Sequence, residues 1–151
     1  MARFALERDI KFFQSISREL VDDVIETAIM FYKLVVAESK INLYGESLSK
    51  TYYSPLQTTC IIERDDTNVN YEGFGADANQ NVRFRFNRFT LKENGFYPEI
   101  GDIIFHNDAY FEIDNVTEDQ LIGGRPDEKF SIICSTIMSR RSTLQTEERT
   151  V

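Results

Sequence analysis

The sequence predicts a mainly β fold: a small antiparallel barrel or sandwich with one N-terminal helix and an extended C-terminal tail. Beyond Thr51, short apolar segments alternate with turn signals every 8 to 15 residues, which is typical of all-β domains. Twelve Phe and seven Tyr reinforce this, because aromatic residues favour strands. A chain of 151 residues has the length of about one domain. We therefore assign residues 1–138 to a single domain and 139–151 to a polar tail.

The first 24 residues have the apolar period of an amphipathic helix. Such a helix either packs on its own domain or acts as an arm that docks on a neighbouring subunit, and both interpretations stay open. In the second case the partner-docking residues would be Phe13, Ile16 and Leu20. The whole apolar stripe consists of Leu6, Ile10, Phe13, Ile16, Leu20 and Val24.

The next segments change from helical to β character. Residues 26–37 are rich in β-branched and aromatic side chains and predict a strand, followed by an irregular crossing segment at 42–47. Residues 52–64 predict another strand, with Pro55 placing part of it at an edge or a bulge. Residues 65–80 are interpreted as a long polar loop, and structureless loops of this length are uncommon and often functional.

The remaining elements are short and separated by turns. Gly101 suits a tight entry into a strand, and Asp102 is expected to accept hydrogen bonds from nearby backbone amides. The predicted elements are a strand at 82–86, a helical turn at 89–93, a turn at 98–102, a strand at 103–106, a hairpin turn at 107–108, a return strand at 109–116, a break at 123–126 and a last strand at 129–138. The expected inward set is Ile103, Phe105, Tyr110 or Phe111, Ile113 and Val116.

Composition restricts the function classes. The net charge of −8 argues against generic duplex-DNA binding, which needs clustered Lys and Arg. Cys60 and Cys134 lie in apolar runs and are expected to be buried, reduced thiols of a cytosolic product. No secretory signal and no apolar stretch long enough to span a bilayer is recognised, so we expect no membrane partner.

A search for catalytic chemistry gives a negative expectation. His106, the one histidine, lies beside a predicted turn, and no nucleophile elbow, Walker loop or zinc-protease motif occurs. The carboxylates do not have the spacing of a calcium loop and are interpreted as solvated charges. We therefore expect no enzyme activity, no metal and no cofactor. The carboxylates in question are Glu63, Asp65, Asp66, Glu112, Asp114, Glu118 and Asp119.

One segment, residues 83–89, interleaves basic and aromatic residues. On a strand, Phe84 and Phe86 would share one face and Arg83 and Arg85 the other. Exposed Phe side chains would stack bases, as in barrels that bind single-stranded nucleic acid, whereas buried ones would belong to the core. Contact of Arg83, Arg85 or Arg88 with DNA or with a neighbouring subunit stays open.

Two segments together carry a resemblance. Residues 42–55 contain Tyr-Gly-Glu followed by Tyr-Tyr-Ser-Pro, and residues 96–116 contain Pro-Glu-Ile-Gly-Asp-Ile-Ile and Tyr-Phe-Glu-Ile-Asp-Asn-Val. In this order they resemble the neck proteins of contractile-tailed bacteriophages, namely the head-completion or stopper component. Residues 12–35 are also similar to the helix and strand that open this family.

The resemblance implies a small β-barrel that assembles into a ring, a hexamer, at the head–tail junction of a virion built in the host cytoplasm. The ring would lie below the portal adaptor and above the tail terminator or tail tube, and would close the DNA exit channel after packaging. A loop between barrel strands would reach the lumen, where its carboxylates repel the passing double-stranded DNA and its aromatic residues meet their symmetry mates. By position the loop residues would be Asp65, Asp66, Tyr71, Glu72, Phe74 and Asp77. The alternatives are a tail terminator ring of the same neck and a single-strand-binding barrel.

Overall fold

The computed structural model of the chain describes residues 7–25, 27–35, 40–41, 47–64, 68–72, 75–79, 81–119 and 129–139. For 40–41, 47–49, 68–72 and 75–79, the backbone is described. Most of the predicted crossing segment (42–46), the predicted break at 123–126 and the tail beyond Ser139 lie outside the described residues.

Six antiparallel strands form a closed barrel, which confirms the predicted fold class. The strand order around the barrel is β1-β4-β7-β10-β9-β8. Two further two-stranded sheets, β2-β3 and β5-β6, lie outside this barrel. The strands are β1 Thr27–Tyr32, β2 Lys40–Ile41, β3 Ser47–Ser49, β4 Leu56–Arg64, β5 Asn68–Glu72, β6 Gly75–Asn79, β7 Asn81–Asn87, β8 Ile103–His106, β9 Ala109–Glu118 and β10 Ser131–Ser139.

The core is the inside of the barrel and is built from alternate residues of each strand. Phe84 and Phe86 of β7 are fully buried there. The Phe84 ring contacts Phe111 edge-on, with 5.5 Å between ring centroids, and the Phe86 ring contacts Phe31 at 6.3 Å. Aromatic side chains bury the largest apolar areas, so these rings hold the strands together. Other core members are Ile29, Cys60, Val82, Leu91, Ile104, Ile113, Ile132 and Cys134.

The β8–β9 hairpin has the predicted two-residue turn but not the predicted inward face. Asn107 and Asp108 have φ of 50° and 61°, the left-handed backbone that a type I′ turn needs. Ile103 is fully buried, as predicted, but Ile104 and not Ile103 belongs to the cluster inside the barrel. The prediction that Phe105 points inward is wrong, because alternation places it on the face opposite to Ile104, where it is half-buried. The apolar run Ile103-Ile104-Phe105 has no alternation, and side chains two apart share a face, so pairing with β1 decides which residue lies inside.

The N-terminal segment is helical, as predicted, but changes its winding. Helix α1 (Glu7–Arg18) continues as a π-helical segment, Glu19–Ile25. Asp22 in that segment accepts hydrogen bonds from the Thr59 hydroxyl of β4 at 2.9 Å and from the Thr90 hydroxyl at 2.7 Å. Asp22 therefore ties the end of the helix to the outside of the barrel.

A second short helix, α2 (Arg88–Asn94), follows β7 at the predicted position. The Asn87 side chain accepts a hydrogen bond from the Phe89 amide at 2.9 Å, and an amide acceptor of this kind is a favoured N-cap. Gly95 ends the helix with φ of 69°, and its backbone N–H donates to the carbonyl oxygens of Leu91 and Lys92. Both ends of α2 are thus set by local sequence.

Candidate functional site

Strands β5 and β6 form a separate hairpin, here called the ribbon, between two neighbouring barrel strands. β4 and β7 pair directly with each other up to the register Arg64↔Val82. The ribbon therefore starts and ends at one rim of the barrel. Its own strands pair over five positions, from Asn68↔Asn79 to Glu72↔Gly75, and neither joins a barrel strand.

The ribbon corrects the sequence-based interpretation of residues 65–80 as a polar loop. Its sequence is rich in Asn, Asp, Ala and Gly, which are poor strand formers, but pairing within a hairpin supplies the missing stability. Of the six predicted loop residues, Tyr71, Glu72 and Asp77 lie on the ribbon backbone, with Tyr71 opposite Ala76 and Asp77 opposite Asn70. Asp65, Asp66 and Phe74 lie outside the described residues.

Arg85 of β7 is paired within the barrel, and the aromatic residues of the strand are not available for base stacking. Arg85 makes ion pairs with Glu63 at 3.1 Å and with Asp119 at 2.7 Å, so its charge is matched within its own barrel. Phe84 and Phe86, which a base-stacking surface requires, are buried. The base-stacking surface on which the single-strand-binding interpretation depended is therefore not present on β7, since stacking would require the barrel to open.

The other two candidate arginines lie apart from this pair of contacts. Arg83 is exposed on the outer face of β7, and Arg88 is half-buried at the start of α2. Arg88 lines a groove of about 690 Å³ between α1 and α2, which sequence reasoning missed because its walls come from distant segments. Beside Arg88, the groove is lined by Lys11, Lys92, Lys129, Phe89 and Tyr97.

The predicted docking residues of α1 and the π-helical segment are exposed. Phe13, Ile16 and Leu20 expose 50%, 46% and 49% of their surface, whereas Ile10 and Val21 are buried against the domain. The stripe predicted from periodicity is therefore mostly the outward side of the helix. Phe13, Ile16 and Leu20 are thus exposed apolar residues of the helical segment.

The Pro98–Asp102 turn is held by one buried carboxylate. Asp102 is 1% exposed and accepts hydrogen bonds from the backbone amides of Leu34 at 2.9 Å and Glu99 at 2.8 Å. It also pairs with the Lys33 ammonium at 3.0 Å. This bears out the expected role of Asp102 and adds Lys33, a partner too distant in sequence to be predicted. Gly101 has φ of 96°, where a side chain would be strained.

Several titratable groups of the described residues are engaged in ion pairs or are shifted by burial. Burial and the nearby positive charge of Arg64 lower the pKa of His106, so its imidazole is neutral at pH 7. Glu112 pairs with Lys50, and Glu118 pairs with Lys129. Within the described ranges, no group of three His, Cys, Asp or Glu could hold a metal ion. Among the described helices, none is long and apolar enough to cross a membrane.

The two cysteines are free and buried inside the barrel, as the sequence predicts. Burial raises the pKa of both Cys60 and Cys134 to about 12. We expect both thiols in the native protein to react with iodoacetamide at pH 8 at least about 1,000-fold more slowly than in denatured protein, because the thiolate is the nucleophile. Mass spectrometry of timed reactions measures this. Labelling of either thiol at the denatured rate would contradict the buried placement.

Comparisons with solved structures add a distant likeness. No protein-family model and no curated protein matches the sequence. Among solved structures, a chain from a virion of a native gene transfer agent particle aligns with a TM-score of 0.47 and 10% identity, covering 75% of this chain and 94% of that chain. A TM-score below 0.5 is too low for fold or function to be inferred from that chain.

Proposed function

We propose that this chain is a structural protein of a phage neck, a ring subunit that closes the DNA exit channel after packaging and offers a platform for the tail. The ribbon is the observation that carries the proposal. It is a hairpin at one rim of a closed barrel, and its strands are not needed to complete the barrel. A ring of such barrels has one hairpin per subunit available to occupy its lumen.

Three further features support this function. The motif order at 42–55 and 96–116 resembles stopper proteins, and the closed barrel with an N-terminal helix agrees with the fold that this resemblance implies. The outward apolar face of α1 suits a protein that works by assembly. The titratable groups described above are engaged in structural ion pairs or buried, which suits a role without catalysis.

The chemistry of the ribbon segment fits a gate that holds DNA and later lets it pass. Four carboxylates, those of Asp65, Asp66, Glu72 and Asp77, would repel the phosphate backbone from the lumen wall. Tyr71 and Phe74 would close the lumen by contact with the same residues of neighbouring subunits. In this proposal the ring is a hexamer, with the portal adaptor above it and the tail terminator or tail tube below it.

Deleting residues 68–78 tests the gate. We expect particles that contain the shortened chain and package DNA but lose it to the medium, because the rim of the barrel stays intact while the lumen stays open. Nuclease sensitivity of the packaged genome measures the loss, and immunoblotting of the particles verifies that the chain is incorporated.

A charge variant of unchanged length is the matched control. Glu72→Gln with Asp77→Asn keeps the ribbon and should retain DNA, since closure is assigned to the aromatic residues. Normal retention of DNA by the deletion variant would reject the gate. Cryo-electron microscopy that places the chain on the tail tube, below another closing ring, would replace the stopper by a tail terminator.

A further inference from the structure

The helix that opens the domain carries an apolar surface, here called the helix face, made of Phe12, Phe13, Ile16, Leu20 and Val24. Each of these residues is between 46% and 70% exposed, whereas Ile10 and Val21 of the same helical segment are buried. Together they expose on the order of 500 Å², near the upper end for one apolar patch on a monomer. A patch of this size on a soluble domain marks a contact surface.

The outside of the barrel carries a second apolar surface, here called the sheet patch, made of Met30, Tyr32, Phe105 and Tyr110. Alternation along the strands places these side chains outside, since their neighbours Ile29, Phe31, Ile104 and Phe111 belong to the core. The ring centroid of Tyr110 lies 4.8 Å from the ring centroid of Phe105 and 6.4 Å from that of Tyr32. Met30, the cross-strand partner of Phe105, is 37% exposed.

The two surfaces are distinct and are associated with different strands of the barrel. The π-helical segment is attached to β4 through Asp22 and Thr59. In the closed strand order, β4 and β9 are three strands apart in either direction, so they are diametrically opposed. The helix face therefore lies beside β4, whereas the sheet patch is centred on β8 and extends over β9, which lies opposite β4, and over β1, which pairs with β4.

We propose that the helix face of one copy of this chain docks on the sheet patch of a neighbouring copy. A contact between two different surfaces of one chain is head-to-tail, and a head-to-tail contact repeats around a rotation axis to close a ring. A side of a standard interface buries about 800 Å², of which the helix face supplies more than half. The proposal deepens the neck-ring function by naming the subunit contact, and it rests on that function for the closure of the ring.

Two variants that each break one surface test the docking. Ile16→Asp places a charge in the helix face, and Met30→Asp places a charge in the sheet patch. We expect wild-type protein to associate in sedimentation experiments between about 1 µM and 1 mM. Each variant alone should associate at least about 100-fold more weakly, because the contact would bury an unpaired charge.

Mixing the two variants distinguishes a head-to-tail contact from other contacts. The Met30→Asp copy still has an intact helix face and the Ile16→Asp copy an intact sheet patch, so an equimolar mixture should form heterodimers and nothing larger. Ser15→Asp on α1 and Asn81→Asp on β7 are exposed controls that should associate like wild type. Circular dichroism and thermal melts verify that each variant is folded.

Several results would overturn the proposal. Wild-type protein that stays monomeric up to about 1 mM would assign the helix face to a different partner. If the folded Met30→Asp variant associates like wild type, the sheet patch is not the docking surface. If the mixture forms no heterodimers, the contact is not head-to-tail. The proposed neck function is tested separately from the subunit contact. If the copies associate as proposed but particles lacking the ribbon retain DNA, the subunit contact is supported and the gate is rejected.

Discussion

Replacing Phe84 by alanine is expected to lower the free energy of unfolding by about 3–5 kcal/mol, the usual effect of removing a fully buried Phe. Phe84 is 0% exposed, lies between Ile62 of β4 and Cys134 of β10 in the register, and contacts the Phe111 ring. The truncation leaves a cavity where three strands meet. Urea unfolding followed by circular dichroism measures the change.

The same substitution on the helix face is the matched control. Phe12 is 61% exposed, so Phe12→Ala removes the same atoms from a position with little burial. We expect a change within about 0.5 kcal/mol for the monomer. Equal losses for the two variants would contradict the assignment of Phe84 to the core, and would reopen the interpretation of residues 83–89 as a base-stacking surface.

Replacing Asp102 by alanine is expected to cost about 2–4 kcal/mol of stability, although the residue lies in a turn. Its carboxylate accepts hydrogen bonds from the backbone amides of Leu34 and Glu99 and forms an ion pair with the Lys33 ammonium. Removing it leaves the part-buried amide hydrogen bonds of Leu34 and Glu99 without their acceptor, and leaving such groups unsatisfied is costly. The shift of the urea midpoint at unchanged slope measures the loss.

Glu99 offers a control, because it forms a second ion pair with the same lysine. Glu99 also contacts Lys33, at 2.9 Å, but its side chain is 68% exposed, so the interaction is screened by water and contributes at most about 1 kcal/mol. Glu99→Gln should therefore change stability much less than Asp102→Ala. A loss of similar size in both variants would show that the Lys33 charge, and not the backbone amides, carries the stability of the turn.

Local signals were sufficient to predict the fold class and most of the elements. The Asn107-Asp108 turn, the alternation around Phe84 and Phe86 and the short helix before Gly95 are each encoded within a few residues. The inward face of β8 was not predictable, because Ile103, Ile104 and Phe105 are all apolar and only the pairing partner distinguishes them. The ribbon was missed because its strands are stabilised by each other and not by their intrinsic propensities.

The candidate surfaces were predictable only in part. The period of the N-terminal stripe predicted an amphipathic helix, but a sequence pattern does not say whether the apolar side faces its own domain or a neighbour. Arg85 of the basic–aromatic segment was recognised as a candidate contact residue. Its ion-pair partners Glu63 and Asp119 were not predictable, because they lie 22 and 34 residues away in the sequence. Contacts of that kind depend on strand order, which the sequence did not reveal.

The placement of the ribbon has a consequence for protein engineering. Strands β4 and β7 are hydrogen-bonded directly to each other. The pairing of the barrel strands therefore does not depend on the length of the segment that connects β4 to β7. The entropic cost of a longer connection grows slowly, by about 0.6 kcal/mol for each doubling. We therefore expect an epitope or a small reporter domain inserted between β4 and β7 to leave the strand pairing of the barrel unchanged.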